Sequence, residues 1–176
     1  MASLETAQKH GYVQSVIEPD AFREVMGGVA APVSVITSAL EGVPHGTTVS
    51  AFTSLSLEPP MILVCLDLKS ELLSMILQSQ RFGVNVLDSG GSGVAMAFAR
   101  KGGDKFASVD WFYSDGLPRL DDAAGWLACN VDNMITAGDH VIITGLATEA
   151  ASHQGEPLTY YRRSFGTHAR IDGGQS

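Results

Sequence analysis

The sequence predicts a mainly β protein with short capping helices, folded as an antiparallel barrel. Six or seven segments show the alternation of apolar and polar residues, or the short continuous apolar run, that is typical of strands. The segments with helical spacing are few and short. Most connections between the predicted strands have hairpin length, which favours antiparallel pairing over a βαβ sheet.

The predicted elements follow one another closely along the chain. We expect strands at 33–37, 47–57, 61–66, 81–87, 126–135, 140–147 and 158–161, and helices at 21–26, between Ser70 and Gln80, and at 94–100. Pro19 opens the first helix, Gly27 and Gly28 stop it, and Ser70 is the N-cap candidate of the second. The polar, aromatic and glycine-bearing stretch 101–122 is interpreted as a long excursion rather than a linker.

Composition and charge exclude several functional classes. The chain has 176 residues, of which 45% are hydrophobic and 17% charged, and this suits one domain with a full core. A formal net charge of −8 without long Lys/Arg clusters argues against nucleic acid and anionic membranes as partners. No run approaches the roughly 18 apolar residues of a membrane span. The rather apolar composition also favours an oligomer interface.

The termini and the cysteines complete the outline of the chain. We expect a flexible arm at 1–18, one barrel domain at 19–165 and a tail at 166–176. The first residues lack the basic and apolar regions of a secretory signal. Cys65 and Cys129 each lie in an apolar run, and no C-x-x-C pair is present. Buried free thiols in a reducing cytoplasm are therefore expected.

The stretch 42–67 is the main candidate for a ligand site. Small hydroxyl side chains alternate there with apolar residues, before two prolines and the apolar run 61–66. Small side chains let the backbone approach a flat or phosphorylated ligand, while hydroxyls and backbone N–H groups supply neutral donors. The alternative is a Ser/Thr-rich edge strand that binds nothing. The hydroxyl residues are Thr47, Thr48, Ser50, Thr53, Ser54 and Ser56.

Motifs for other chemistries are weak or missing. Gly91 and Gly93 match two positions of a dinucleotide fingerprint, but Met96 holds the third and no βαβ units surround it, which favours a flexible turn. The five histidines form no H-x-x-x-H or H-E-x-x-H group, so no metal site is predicted. No G-x-S-x-G elbow appears, and the apolar neighbours of Cys65 argue against a cysteine nucleophile.

Three polar groups remain as candidates for contacts with a ligand. His140 follows Gly138 and Asp139 and begins an apolar strand, which puts its imidazole at a barrel rim. It is either a solvated turn residue or a group that bonds or stacks with a ligand at the barrel mouth. The segment 104–106 sets a cation beside an aromatic ring, which suits a phosphate contact or the start of a surface helix. The segment 160–163 combines tyrosines with arginines, although tyrosines on an edge strand are ordinary packing.

Six motifs occur along the chain between about residues 22 and 165. They are G-V-P-H-G-T-T-V-S-A-F-T-S-L-S-L-E-P-P at 42–60, V-C-L-D at 64–67 with Ser70, R-F-G-V-N-V-L at 81–87, F-A-R and D-K-F-A within 98–107, G-D-H at 138–140 and P-L-T-Y-Y-R at 157–162. In this order they resemble the flavin reductase family of two-component flavin monooxygenases. The first motif combined with G-D-H is specific, whereas each of the others alone would be weak.

The resemblance implies a six-stranded, Greek-key-like split barrel of the FMN-binding type that holds FMN or FAD. It also implies that His140 is the catalytic contact to a reduced nicotinamide, with Gly138, Asp139, Tyr160 and Arg162 close to the cofactors. The other flavin-binding residues that it implies are Thr47, Thr48, Val49, Ser50, Ala51, Ser54, Leu55, Ser56, Cys65, Leu66, Asp67, Ser70, Phe82, Asn85, Lys105 and Phe106.

The activity that the resemblance implies is NAD(P)H:flavin oxidoreduction, with NADH favoured over NADPH and diffusible reduced flavin passing to a separate monooxygenase. Members of the family are homodimers with each flavin close to the partner subunit. The cofactors carry the hydride chemistry, so a missing catalytic triad is expected. One alternative is a flavin-binding electron carrier without nicotinamide-driven turnover. Another is a pyridoxal-phosphate-forming oxidase, which would need a basic phosphate cluster that the sequence does not show.

Overall fold

The structure, a computed structural model, describes residues 16–169 and consists mainly of β-strands. Within them no helix is both long and apolar enough to cross a membrane. The predicted arm at 1–18 lies mostly outside the described residues, as does most of the tail at 166–176. The helices are α1 (Pro19–Gly27), α2 (Glu71–Ser79) and α3 (Ser92–Ala99). The strands are β1 (Ala31–Pro32), β2 (Ser34–Leu40), β3 (Val43–Val49), β4 (Phe52–Leu57), β5 (Pro60–Asp67), β6 (Arg81–Leu87), β7 (Trp111–Ser114), β8 (Leu117–Leu120), β9 (Ala123–Ala137), β10 (His140–Ser152), β11 (Thr159–Tyr161) and β12 (Ser164–Gly166).

Seven strands form one antiparallel sheet in the order β3-β2-β6-β9-β10-β5-β4. The edge strands β3 and β4 are consecutive in the chain and are joined only by Ser50 and Ala51. The three Cα–Cα steps from Val49 to Phe52 cover at most about 11 Å. A flat sheet of seven strands would hold its edges about 29 Å apart. The sheet therefore curls until its edges meet, which confirms the predicted antiparallel barrel.

Two glycines in the barrel wall make room for large buried rings, one on each face of the sheet. A Cβ atom on Gly145 would lie 2.6 Å from the ring of Phe82, and one on Gly83 would lie 2.3 Å from the ring of Trp126. Both rings are buried. Because interiors are packed as densely as organic crystals, no side chain larger than hydrogen fits at either glycine without moving a ring.

The helices α2 and α3 cover the barrel, as the sequence predicts. Leu72 and Ile76 of α2 are buried in the cluster that contains Phe82. Phe98 of α3 is buried in a second cluster, and the rings of Phe98 and Phe106 meet edge to face with centroids 4.9 Å apart. Both helices thus act as lids on barrel openings rather than as crossovers between parallel strands.

The structure has more strands than the six that the resemblance implies. The stretch 101–122, interpreted from the sequence as an excursion, contains the hairpin of β7 and β8. Its turn residues Asp115 and Gly116 both have positive φ, a conformation that Asp-Gly pairs adopt readily. The strands β1, β11 and β12 form a separate small sheet, whose last residue, Gly166, lies one position past the predicted domain boundary at 165.

Candidate functional site

A cavity of about 490 Å³ opens where the two edges of the barrel sheet meet. Residues 47–51 pass along one side of it, at the crossing from β3 to β4. The end of β5 and the start of α2 form a second wall, and the loop after α3 forms a third. His140, the first residue of β10, also lines it. We call this space the seam cavity.

The seam cavity gathers eleven of the residues that the family resemblance implies as cofactor contacts. They come from four separate parts of the chain, so only the folded barrel brings them together. Most are small or half-buried, which leaves the backbone of the seam within reach of a ligand. The eleven are Thr47, Thr48, Val49, Ser50, Ala51, Cys65, Leu66, Asp67, Ser70, Lys105 and His140.

Phe82 and Asn85 do not line the cavity: Phe82 lies in the interior cluster and Asn85 lies on the opposite face of β6, beneath β8, so their contact with a flavin stays a prediction. Both side chains are 0% exposed. The Asn85 amide donates to the carbonyl oxygen of Val35 at 3.2 Å and accepts from the N–H of Leu120 at 2.8 Å. These bonds connect three strands, so the physical role of Asn85 is to satisfy buried backbone groups.

The remaining predicted contacts also lie outside the seam cavity. Phe106 is buried under the loop after α3, and Ser54, Leu55 and Ser56 lie on β4 away from the opening. Gly138 and Asp139 form the turn beside His140. Tyr160 belongs to β11, and Arg162 lies in the β11–β12 turn with its guanidinium over the Tyr161 ring. Within a single chain, neither Tyr160 nor Arg162 lines the cavity.

The charge of the seam cavity is opposite to that of the whole chain. Four basic side chains line it against two acidic ones, Asp67 and Glu71, although the protein carries a net charge of −8. A concave surface with an excess of cations attracts anions such as phosphate groups. Sequence reasoning missed three of these cations, and the pair of basic residues directly after α3 was a signal for two of them. The four are Lys69, Arg100, Lys101 and Lys105.

Lys105 is the most constrained of these cations. Its ammonium donates to the carbonyl oxygens of Gly46 and Phe98, both at 3.0 Å. Since an ammonium has three N–H donors, one remains for a ligand. Burial lowers the pKa of Lys105, and the carboxylate of Glu71 acts in the opposite direction.

His45 lies next to Lys105 on the cavity wall. Its Nε2 atom is 3.8 Å from a carboxylate oxygen of Glu71. Burial and the Lys105 charge lower the pKa of His45, while Glu71 raises it. The balance favours a neutral imidazole. His45 was not among the residues that sequence reasoning selected, although it stands inside the first motif.

His140 is oriented by its neighbour in the chain. Its Nδ1 atom lies 2.7 Å from a carboxylate oxygen of Asp139, and this hydrogen bond lowers the pKa of Asp139. A proton held on Nδ1 leaves Nε2 of a neutral ring as the acceptor. In the sheet His140 is paired with Asp67, so the imidazole and the end of β5 line the same opening.

The cavity lacks the groups needed for nucleophilic chemistry. Burial raises the pKa of the Cys65 thiol, so Cys65 remains protonated, and that of Cys129 rises to about 12. The Thr48 hydroxyl donates to the carbonyl oxygen of Ala95 at 2.7 Å. Among residues 16–169, no three His, Cys, Asp or Glu side chains are placed to bind a metal. The arrangement is suited to binding and orienting an anionic ligand.

Residues 26–169 match the model of the flavin reductase like domain. The chain belongs to the flavin reductase family. It is 39% identical over 163 residues to the reductase component of 4-nitrophenol 4-monooxygenase/4-nitrocatechol 2-monooxygenase of Rhodococcus opacus, covering 93% of this chain and 88% of that one. A flavin reductase (NADH) of Kitasatospora aureofaciens is 36% identical, with 85% of this chain and 82% of that protein covered. A flavin reductase (NADPH) of Lentzea aerocolonigenes is 38% identical, with 81% and 86% covered.

Solved structures show the same fold. The flavin reductase PheA2 superposes with a TM-score of 0.82 at 33% identity, covering 88% of this chain and all of that one. The NADH:FAD oxidoreductase SgcE6 of Streptomyces globisporus, in complex with NAD and FAD fragments, gives 0.84 at 28% identity, covering 92% of this chain and all of that one. The split-barrel architecture of this flavin reductase is therefore established.

The residues of the seam cavity fit a flavin. Its volume falls within the roughly 300–1,000 Å³ of small-molecule sites. The hydroxyls of Thr47 and Ser50 and the exposed backbone at Ala51 offer neutral donors and acceptors to a polar ring edge. Lys105 and Arg100 on the facing wall suit a phosphate group.

Proposed function

We propose that this protein is an NAD(P)H-dependent flavin reductase that reduces FMN or FAD and supplies diffusible reduced flavin to a separate monooxygenase. The observation that carries the proposal is the seam cavity, which sets a hydroxyl-lined backbone opposite a group of cations, with His140 on its wall. Membership of the flavin reductase family supports it, as does the relation to the reductase component of a two-component monooxygenase.

The chain's own residues bind and orient, and they need not act as acid, base or nucleophile. A bound flavin accepts hydride and a reduced nicotinamide donates it. Residues 47–51 present backbone and hydroxyl groups to the ring edge, where fixed dipoles stabilise developing charge. Lys105 and Arg100 hold the phosphate end, and His140, fixed by Asp139, positions the nicotinamide nucleotide. Such positioning is worth several kcal/mol in bimolecular reactions.

We propose NADH as the preferred coenzyme. NADPH carries an additional 2′-phosphate, which the net charge of −8 disfavours in the approach to the protein. Relatives of both coenzyme types are similar to this chain, so the preference needs measurement. A cytoplasmic location is part of the same proposal, supported by the two free thiols of Cys65 and Cys129.

A homodimer is the proposed assembly. Four apolar side chains at helical spacing run along α1 and just beyond it, and all four are exposed: Phe22, Val25, Met26 and Val29. No residue of α1 is buried within the single chain, so its apolar stripe requires a cover. Tyr160 and Arg162 contact nicotinamide only if they reach the cavity of the second copy.

The assembly is tested by size-exclusion chromatography with light scattering. The wild type is expected to be a dimer, and Phe22→Glu combined with Val25→Glu is expected to shift it towards monomer. Ala21→Glu adds a charge to the same helix outside the stripe and is the matched control. A wild type that elutes as monomer contradicts the dimer.

The activity is tested by initial rates with FMN, FAD and riboflavin, each combined with NADH and with NADPH. Catalytic oxidation of coenzyme in excess over protein is the expected result, and faster turnover with NADH would support the coenzyme preference. Coenzyme oxidation that stops at one equivalent per bound flavin would contradict the reductase proposal and favour the electron-carrier alternative.

A further inference from the structure

His45 is a titratable side chain of the seam cavity that the proposed function leaves without a role. It alternates along β3 with Thr47 and Val49, so the three side chains share one face of the strand, and all three line the cavity. The opposite face of β3 is closed at this point, because a Cβ atom on Gly46 would lie 2.8 Å from the ring of Phe98. The imidazole therefore belongs to the wall that a bound ligand would touch.

Two charged groups of opposite sign act on the ring. The Nε2 atom of His45 is 3.8 Å from a carboxylate oxygen of Glu71, which is longer than a hydrogen bond. The Lys105 ammonium donates to the carbonyl oxygen of Gly46, the next residue in the chain, at 3.0 Å. A cation is thus held beside the imidazole, whereas the anion stands slightly apart on a side chain that is 80% exposed.

The other charged and titratable groups around His45 come from three further parts of the chain. Together with Lys105 and Glu71 they make four cations against three carboxylates, so the cavity without a ligand has no excess of negative charge to keep a proton on the ring. They are Asp67 and Lys69 at the end of β5 and just after it, Arg100, Lys101 and Asp104 in the loop after α3, and His140 of β10.

A phosphate group would reverse this balance. In the ligand-free protein, burial is the main cause that lowers the pKa of His45, the Lys105 charge adds to it, and Glu71 raises the pKa. A phosphate that accepts the free N–H of Lys105 would bring about two negative charges close to the ring. An opposite charge within about 4–6 Å favours the charged form of a titratable group, so the pKa of the imidazole would rise.

We propose that His45 is a proton-linked phosphate ligand: when the phosphate of a nucleotide enters the seam cavity, the imidazole takes up one proton from solvent, and the charged ring then holds the phosphate together with Lys105. Glu71 is the second partner of the charged ring. The step forms one N–H bond and leaves every other covalent bond unchanged. The inference rests on the proposed function and adds a regulation to it, because the pH then controls how tightly the site binds. FMN, FAD and NADH all carry phosphate, and the experiment distinguishes the flavin from the coenzyme.

The direction of the pH effect follows from linkage. Between the lowered pKa of His45 in the free protein and its higher pKa in the complex, the complex binds more protons, so the Kd falls as the pH drops through this window. A phosphate monoester has a second pKa of about 6 and loses charge in the same range, which weakens binding. Comparison with a variant that lacks the imidazole removes this contribution, since it is common to both proteins.

The first experiment titrates flavin fluorescence at pH 8 and at pH 5.5, without coenzyme. The ratio of the FMN Kd of His45→Gln to that of the wild type is expected to be about tenfold larger at pH 5.5, the effect of a pKa shift of about one unit. For riboflavin, which has no phosphate, this ratio is expected to be the same at both pH values. His168→Gln, an exposed histidine outside the cavity, is the matched control.

The second experiment counts the protons by calorimetric titration of FMN in two buffers with different enthalpies of ionisation. The wild type is expected to take up more protons per FMN than His45→Gln does. Glu71→Gln keeps the imidazole and changes an exposed side chain, and it is expected to move the excess uptake to lower pH, because one charge that raises the pKa of His45 is removed. Equal uptake by the wild type and His45→Gln overturns the proposal, and an unchanged profile in Glu71→Gln removes Glu71 from it.

The same calorimetric titration with NADH identifies the source of the phosphate. Proton uptake that depends on His45 with NADH but not with FMN assigns the phosphate to the coenzyme. Catalytic NADH oxidation in excess FMN, measured on the same samples, separates this inference from the proposed function. Turnover without a difference in proton uptake between the wild type and His45→Gln overturns the role of His45 alone. A difference in proton uptake in a protein that does not turn over NADH keeps this role and overturns the proposed function.

Discussion

The ammonium of Lys105 lies 3.0 Å from the carbonyl oxygen of Gly46, and this bond fixes the loop after α3 to strand β3. A second bond of the same length runs to Phe98 at the end of α3. The cation is therefore held in place by backbone before any ligand arrives, and its remaining donor needs no reorganisation to meet a phosphate.

Lys105→Met tests this phosphate contact. Methionine keeps an unbranched apolar side chain and removes the charge, so FMN is expected to lose about 1.5–3 kcal/mol of binding free energy, the range for hydrogen bonds to charged groups. Riboflavin, which has no phosphate, serves as the control ligand. The Kd values of both ligands are measured by fluorescence titration. An equal rise in the Kd of FMN and of riboflavin would show that Lys105 only supports the loop after α3.

Ser50→Leu tests whether the ligand lies against the seam. Ser50 is exposed and lines the cavity, so a leucine there occupies the space in front of the backbone. We expect flavin Kd to rise more than tenfold, or by more than about 1.4 kcal/mol. Ser74→Leu is the matched control, because Ser74 is exposed on α2 but lies outside the cavity. An unchanged flavin Kd in Ser50→Leu would show that the flavin does not bind against this part of the seam cavity.

His140→Ala tests the nicotinamide contact. The imidazole is fixed by Asp139 and lines the seam cavity. We expect the KM of NADH to rise with little change in flavin Kd, since we propose that residues 47–51 and the cations hold the flavin. His168→Ala, an exposed histidine outside the cavity, is the control. An unchanged KM would remove His140 from the site.

Gly145→Ala tests the packing of the barrel interior. The new Cβ atom would lie 2.6 Å from the Phe82 ring and 3.2 Å from the side chain of Cys129, so the core must shift. Overpacking of this kind costs about 1–3 kcal/mol of unfolding free energy, measured by urea denaturation. Gly125→Ala on β9 is the control, because its Cβ atom would have an ordinary contact of 3.4 Å with Val86. Equal stability of the two variants would refute the crowding.

The pH dependence of stability should contain a contribution from His45. Burial and the Lys105 charge lower the pKa of His45 below its ordinary value of 6.5. Between the lowered value and 6.5 the unfolded chain binds more protons here than the folded chain does, so stability falls as the pH drops through this window.

Urea unfolding of the ligand-free protein at pH 8 and pH 5.5 measures this contribution. From pH 8 to pH 5.5, the unfolding free energy of His45→Gln is expected to fall less than that of the wild type. The exposed control His168→Gln is expected to behave like the wild type. A loss in His45→Gln as large as that of the wild type would assign the effect to other groups.

The sequence alone was sufficient to find the seam but not the whole site. Alternation from Thr47 to Ala51 predicts a small-residue strand, and the structure places that strand at the barrel edge. Lys69 joins the adjacent pair Arg100 and Lys101 only through tertiary packing, and no spacing in the chain signals that meeting. The hairpin at Asp115 and Gly116 carried a usable Asp-Gly signal that the interpretation of 101–122 overlooked.

Phe82 and Asn85 show a second limit of sequence reasoning. Residues 81–87 alternate, which predicts a strand, and the family resemblance implies that Phe82 and Asn85 lie near the flavin. In the structure nearly every residue of β6 is buried or half-buried, because the interior cluster, which includes α2, covers one face and β8 covers the other. Period-two patterns identify a strand but do not tell which covered face is the core.

The two-residue crossing at Ser50 and Ala51 ties the first margin of the sheet to the last. A ligand bound there would contact both edge strands and stabilise them together. Amide hydrogens of β3 and β4 should therefore both exchange more slowly when the ligand is present. Each turnover that ends with release of reduced flavin would then leave the two edge strands in their least stable state, until the next oxidised flavin binds.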